Sequence, residues 1–377
     1  MERNKIKKFL FFFDSRATFS YSNNVIKIFK NNKLNYEILV SGNYLEKKMK
    51  IQKNIFEKYD LKVAYKVKFK SPTKVIGSWP KSFGKAMIDY SNALSRIKPD
   101  LIILTGDRIE TLCFCITASY MNIPIAHIQA GDKSGHIDDL ARASIAKFSH
   151  LHFAPSIEAC KRLKFWGEDE KRIFLTGAPQ LDDIQNQLKN LNNNFEDKFF
   201  RDYYLVIFHP VLNELESISQ QISNLLKAIN KSKINVKWIY PNNDMGYDKI
   251  YKKIIKNRNK KIEIIPNYER SDFLKILKNS KGIIGNSSSG IIEAPSFKIP
   301  VINIGTRQKG RPQSHNIVNC NYSYIEILKK INFIKKNKRF NNSLTKVKNL
   351  FFVKKSSEKI FRILKNLNKK NNLLRKY

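Results

Sequence analysis

The chain has 377 residues and a mass of 44.0 kDa, which a prior of about 150 residues per domain divides into two or three units. With 42% apolar and 27% charged residues it has globular composition, so wholesale disorder is excluded. Lys and Arg number 70 against 32 Asp and Glu, a net charge of +38 with a pI near 9.9, which invites anionic partners: nucleic acid, an acidic membrane or a phosphorylated small molecule.

The first predicted element is a strand over Lys8–Phe13. Lys7 and Lys8 before Phe9–Phe13 have the look of a leader, but Asp14 and Arg16 interrupt the apolar run, and a buried strand fits better. Further short apolar runs predict strands at Tyr36–Val40, Leu101–Thr105, Pro124–Gln129, Leu151–Ala154, Tyr204–Phe208, Val236–Tyr240, Gly282–Gly285 and Pro300–Ile304. Most are fully apolar rather than alternating, as expected where helices cover both faces of a parallel sheet. Helical stretches fall between them, for example Lys85–Arg96, Glu110–Met121 and Ile218–Ile229. The alternation predicts a doubly wound α/β architecture.

A polar stretch over Asn186–Asp202 reads as a linker between an N-terminal α/β domain (1–190) and a second one (200–350), followed by a basic helix and tail (351–377). The amphipathic segment Ser356–Leu367 is expected to pack back on the N-terminal domain. From Lys329 to Tyr377 the only side-chain carboxylate is Glu358, so the tail is a candidate for contact with a membrane surface or polyanion. Elsewhere Lys and Asn are scattered alongside abundant Ile and Phe, the pattern of a codon bias that coats a solvated surface with lysine. The concentration of Arg, Lys and aromatics on one element that marks a nucleic-acid reader is absent, and no specific nucleic-acid partner is expected. Cys113, Cys115, Cys160 and Cys320 form no CxxC pair or zinc spacing and read as reduced thiols of a cytoplasmic protein. No apolar run reaches the ~18 residues of a membrane helix.

Open parallel sheets bind ligands beyond the carboxyl ends of their strands, so function is sought in the loops that follow them. Gly285-Asn286-Ser287-Ser288-Ser289-Gly290 precedes a helix expected from Ile291. Small residues there let a ligand approach free N–H groups and a helix dipole, which favours a diphosphate, although a serine N-cap explains part of the run. Glu293, one turn on, suits a ribose diol better than phosphate, or serves as a first-turn acid for the helix dipole. Arg307 and Arg311 flank another such loop, and Arg16 takes the matching position in the first half. Arginine suits diphosphate through its two-pronged donation. Neither GxxxxGK[ST] nor GxGxxG occurs, so an NTPase P-loop and a standard nicotinamide site are not supported. Asp107, Asp132, Asp138 and Asp139 cluster in the first half and could divide into an acid and a base, while Asp138-Asp139 could equally cap a helix. His127, His150 and His152 read as core hydrogen-bonding groups. His209, at a strand end before Pro210, does not.

Together these segments resemble the hydrolysing UDP-N-acetylglucosamine 2-epimerase family of sialic- and legionaminic-acid pathways. The resemblance rests on Gly106-Asp107-Arg108, His127 to Asp132, Ser134 to Asp139, Phe208-His209-Pro210, Tyr240-Pro241-Asn242 and Ile284 through Arg311. It implies a glycosyltransferase-B-like fold, two Rossmann-like domains facing a cleft that holds a UDP-sugar. It also implies loss of UDP and the C2 proton to give a glycal, to which water adds, with no metal or nicotinamide cofactor, and a homo-oligomeric protein. Arg16, Ser20, Arg108, His209, Asn242, Ser287, Ser288, Glu293 and Arg307 match the family's UDP-sugar-binding positions. Asp107 and Asp138 match acid/base carboxylates, with His209 near the departing diphosphate. The third family carboxylate position carries Gln129, leaving Asp132 as its substitute or Gln129 to orient the sugar. The family's Arg-His pair is Arg142-Ala143 here, and its histidine after the second strand is Tyr44. The expectation is a hydrolysing UDP-N-acetylhexosamine 2-epimerase, whose substrate could also be UDP-N,N'-diacetylbacillosamine. A non-hydrolysing epimerase or a glycosyltransferase of the same fold would carry many of the same residues, and the net charge by itself would suit a polyanion-binding protein.

Overall fold

A computed structural model describes residues 5–45, 55–69, 78–135, 138–184, 202–241, 245–265, 268–367 and 374. It separates into two units. The first contains Met1–Asp132, Asp138–Asp183 and Phe351–Tyr377, and the second Lys133–Ile137 and Ile184–Leu350. The linker expected over Asn186–Asp202 lies outside the described residues except for Asp202.

The first unit runs β1 (Phe9–Phe13), α1 (Arg16–Asn31), β2 (Tyr36–Val40), α2 (Ile55–Lys58), β3 (Tyr65–Lys66), α3 (Ser78–Ile97), β4 (Leu101–Thr105), α4 (Ile109–Tyr120), β5 (Ile125–Ile128), α5 (Asp138–Phe148), β6 (Leu151–Ala154), α6 (Ile157–Phe165) and β7 (Ile173–Leu175). Its strands are parallel, in the order β3-β2-β1-β4-β5-β6-β7. Because side chains alternate across a strand, β1 feeds two cores. Phe9, Phe11 and Phe13 pack with Val25, Ile26 and Phe29 of α1, whereas Leu10 and Phe12 pack with Tyr90 of α3 and Phe114 of α4. Burial on both faces explains why this strand reads as an unbroken apolar run.

The second unit runs β8 (Tyr204–Ile207), α7 (Ile218–Ser232), β9 (Val236–Ile239), α8 (Tyr247–Lys256), β10 (Ile262–Ile265), α9 (Arg270–Asn279), β11 (Ile283–Gly285), α10 (Ser288–Ile292), α11 (Ala294–Phe297), β12 (Val301–Ile304), β13 (Ile317–Cys320), α12 (Tyr324–Lys336) and α13 (Lys338–Ser343). Its strands are again parallel, in the order β10-β9-β8-β11-β12-β13. Val206 and Trp238 enter one core with α7 and α12, while Leu205 and Ile283 enter the other with Leu277 of α9.

The last helix, α14 (Ser356–Lys365), belongs to the first unit. Ile360, Phe361 and Leu364 are buried in the core that contains Phe29, and the Phe29 and Phe361 rings meet edge-on at 5.4 Å. Asp182 accepts from the N–H groups of Ser356 and Ser357, at 3.2 and 2.7 Å. These donors begin a helix whose own N-cap side chain makes no capping bond. The described stretch of the basic tail is therefore a packed element with an apolar face.

Candidate active site

In each sheet the strand order reverses direction at one place, where successive connections leave on opposite sides and open a crevice at the carboxyl edge. In the first unit this switch lies between β1 and β4, in the second between β8 and β11.

At the first switch, Asp14 follows β1 and is fully buried. It accepts from Thr18 Oγ1 at 3.1 Å and Thr111 Oγ1 at 2.5 Å, which ties the first turns of α1 and α4 together. Gly106 follows β4 with a positive φ of 90°, and a Cβ there would press on Thr18 Cγ2 at 2.9 Å. Asp107 comes next, then Arg108, whose Nε lies 3.4 Å from Glu110 Oε2. Glu110 is also buried. Burial pushes the proton affinity of both Asp14 and Glu110 above the ordinary carboxylate range, against the lowering effect of the nearby Arg108 charge.

Asp107 is held by Arg142, a nearly buried arginine of α5. Arg142 also pairs with Asp139 at 2.5 Å and donates to the Asp132 carbonyl at 3.2 Å. One guanidinium thus gathers three of the acidic positions singled out in the sequence, through two carboxylates and one backbone oxygen. Asp138 is the first residue of α5 and half-buried. Gln129 follows β5 in the left-handed region at φ 66° and donates to Gln180 Oε1 at 3.0 Å. A residue other than glycine in that conformation is uncommon and draws attention to this turn. His127 is a core group, as its strand position suggested. Its Nε2–H donates to the Gly106 carbonyl at 2.8 Å, which anchors the loop bearing Asp107, and burial lowers its pKa to about 4.

At the second switch the central residue is Asn286. Its Oδ1 accepts from the His209 N–H at 2.7 Å and its Nδ2 donates to the His209 carbonyl at 2.8 Å. Its own carbonyl accepts from Arg307 at 3.2 Å and Gln308 at 2.9 Å, and Gln308 in turn receives Arg311 at 2.6 Å. Three post-strand loops, those bearing His209, the serine run and Arg307, converge on one buried amide side chain and its backbone. Gly285 makes this approach feasible, since with φ at 141° an added Cβ would collide with the Ile207 carbonyl.

The serine run behaves in part as the simpler reading anticipated. Ser287 caps α10, accepting from Ser289 N at 3.3 Å and sharing a 2.9 Å hydrogen bond with Ser289 Oγ. The helix expected from Ile291 is shorter than its sequence suggests: α10 has five residues, and a second turn, α11, restarts at Ala294. Pro295, which has no N–H, sits in that restart. A helix of five residues offers local N–H and hydroxyl donors here rather than a long-helix dipole. Glu293 occupies the joint and is ion-paired with Arg270 of α9, a partner that no motif marks.

The structure therefore groups Asp107, Asp132 and Asp139 around Arg142, with Arg108 on the same loop as Asp107, and groups His209 and Arg307 around Asn286, beside Ser287 and Ser288. Ser20 lies half-buried on α1. Asn242 and the side chain of Arg16 fall outside the described residues. Among the described residues no cluster of His, Cys, Asp and Glu could hold a metal ion, and no helix is long and apolar enough to cross a membrane.

A family model described as UDP-N-acetylglucosamine 2-epimerase matches residues 27–365. The chain is 29% identical over 378 residues to a UDP-N,N'-diacetylbacillosamine 2-epimerase (hydrolyzing) of Legionella pneumophila, covering 98% of this chain and 99% of the relative. It is 33% identical over 314 residues to a GDP/UDP-N,N'-diacetylbacillosamine 2-epimerase (hydrolyzing) of Campylobacter jejuni, covering 81% and 82%. Among solved structures, a UDP-GlcNAc 2-epimerase from Neisseria meningitidis bound to UDP-GlcNAc superposes with a TM-score of 0.81 at 16% identity, covering 95% of this chain and 99% of that one. The fold class is thus the glycosyltransferase-B-like pair of doubly wound α/β domains expected from the sequence. With the family model spanning nearly the whole chain, the protein belongs to the UDP-N-acetylglucosamine 2-epimerase family.

Proposed function

We propose that this enzyme is a hydrolysing 2-epimerase acting on a UDP-N-acetylhexosamine. The observation that carries the reading is the Arg142 cluster: an arginine gathers Asp107 and Asp139 at the carboxyl edge of the first sheet, in a chain whose second unit carries a donor-rich loop organised by Asn286. In this reading Ser287, Ser288 and Arg307 hold the diphosphate, where cationic and N–H donors stabilise charge building on the departing UDP. Glu293 takes the ribose hydroxyls, and Arg16, Ser20, Arg108 and Asn242 complete the grip on the UDP-sugar. A carboxylate among Asp107, Asp132 and Asp138 removes the C2 proton as the C1–O bond to UDP breaks, leaving a glycal. Water then adds at C1, and a proton returns to C2 from the opposite face. Gln129, whose amide cannot take a proton as a base at neutral pH, orients the sugar, and His209 supports the leaving diphosphate.

Hydrolysis, rather than release of an epimerised UDP-sugar, is supported by the names of the Legionella and Campylobacter relatives. The same names favour a second reading of the substrate as UDP-N,N'-diacetylbacillosamine. Either product would feed nonulosonic acid synthesis, a cytoplasmic role. The test is incubation with UDP-N-acetylglucosamine and with UDP-N,N'-diacetylbacillosamine, followed by NMR of sugar and nucleotide in deuterated water. Free UDP, a free 2-epimerised sugar and deuterium at C2 are expected from one of them. Release of UDP from neither would sink the proposal, and accumulation of an epimerised UDP-sugar would replace hydrolysis with simple epimerisation.

A further inference from the structure

On the second unit, away from the β8/β11 switch loops in sequence, α7, α8 and the start of α12 line an open groove of about 860 Å³. Its lining includes Lys227 and Lys231 from α7 and Lys252, Lys253 and Lys256 from α8 and, among the described residues, no carboxylate. Five lysines and no acid in the lining make this a stretch of one sign, in a chain that carries 32 acidic residues. The spacing is also unfavourable for the helices themselves. Lys227 with Lys231, and Lys252 with Lys256, are like charges four residues apart, which repel on a helix face.

Two of the five lysines have fixed settings. Lys227 Nζ lies over the Tyr324 ring, 4.5 Å from its centroid. Half-buried Lys253 donates to Ser223 Oγ at 2.6 Å, which leaves its other two ammonium protons for a ligand. Asn230 and Asn257 add amide donors, and Leu226 and the Tyr324 ring give part of the wall an apolar surface. A concave site of one sign with low-dielectric walls focuses its field and concentrates counter-ions. Its volume lies within the range of small-molecule pockets, which favours a discrete ligand over a flat membrane.

We propose that this groove is a second anion site, for a soluble small molecule carrying several phosphates. It is independent of the nucleotide-sugar reading, because it shares no residue with the proposed UDP-binding loops.

The probe is inorganic tripolyphosphate, titrated calorimetrically into the full-length protein with UDP present at saturation. One equivalent is expected to bind, with a log–log salt dependence. The triple variant Lys227→Gln, Lys252→Gln, Lys253→Gln should bind at least about tenfold more weakly, a change of 1.4 kcal/mol. A control triple variant at exposed positions outside the groove, Lys329→Gln, Lys336→Gln, Lys338→Gln, should bind as the wild type does. All six substitutions lie at solvent-facing or half-buried positions, and a circular-dichroism melt verifies folding. Absence of binding in the presence of UDP, or equal weakening in both triple variants, would overturn the site and leave only net charge. Retention on phosphatidylserine vesicles that is lost in the groove variant, without tripolyphosphate binding, would also overturn it in favour of a membrane surface.

Discussion

Asn286 and His209 are joined by a reciprocal pair of hydrogen bonds, side-chain amide to backbone, at 2.7 and 2.8 Å. The pair fixes the end of β8 against the end of β11, and Arg307 and Gln308 then dock on the Asn286 carbonyl. Asn286→Asp should be more harmful than its isosteric shape suggests. It replaces the donor to the His209 carbonyl with an acceptor and buries a charge, and a single unmet buried group costs about 1–3 kcal/mol. Urea unfolding should show a loss of at least that size, and UDP affinity should fall with it. Unchanged stability would remove Asn286 from its organising role.

Asp107→Asn should leave UDP affinity nearly intact while turnover falls by about 10²–10⁴-fold, the usual contribution of a general acid or base. Calorimetry with UDP and a continuous UDP-release assay separate the two quantities. Full turnover would exclude Asp107 from proton transfer.

Arg270→Met tests the ion pair with Glu293. If Glu293 receives the ribose, loss of its partner should weaken UDP binding by more than about tenfold, since hydrogen bonds to charged groups contribute ~1.5–3 kcal/mol. Binding of inorganic pyrophosphate should stay unchanged. Parallel weakening of both ligands would place Glu293 near the phosphates instead. Arg307→Ala should weaken both.

His127 predicts a pH dependence. Its folded-state pKa is about 4 against an ordinary 6.5, so below pH 6.5 the unfolded chain takes up a proton that the folded chain refuses. Stability from this group is complete above pH 6.5 and is lost as pH falls toward 4, by about 3 kcal/mol at 1.36 kcal/mol per pH unit. Asp14 and Glu110 act in the opposite direction, because their raised values favour the folded state as acid is added. His127→Gln should therefore flatten the acidic limb of wild-type stability between pH 6.5 and 4. An identical limb in both proteins would show that the imidazole is not the group responsible.

The fold is largely legible in the sequence because burial on both faces writes the central strands as continuous apolar runs, as in Phe9–Phe13 and Leu101–Thr105. The strands that apolar runs do not reveal are β3, β7, β10 and β13, which lie at sheet edges. There burial is partial, as at Ile173–Leu175 and Ile317–Cys320, and the apolar signal breaks. The candidate site shows a similar division. Gly106-Asp107-Arg108 and the serine run can be found because they directly follow strands. Partners such as Arg270 for Glu293, Gln180 for Gln129 and Thr111 for Asp14 cannot be. They are set by which helices the topology brings alongside, and no local pattern carries that information. The break of the helix at Glu293 is an intermediate case, since Pro295 is visible in the sequence but its effect on the preceding turn is not.

The capping of α14 by Asp182 spans 174 to 175 positions of sequence. A ribosome delivers the strands of the first unit long before the helix that covers Phe29, so the nascent sheet must wait, with part of its aromatic face bare, until the second unit has emerged. A nonsense codon near Lys355 would remove the helix and leave that aromatic patch uncovered for the life of the polypeptide.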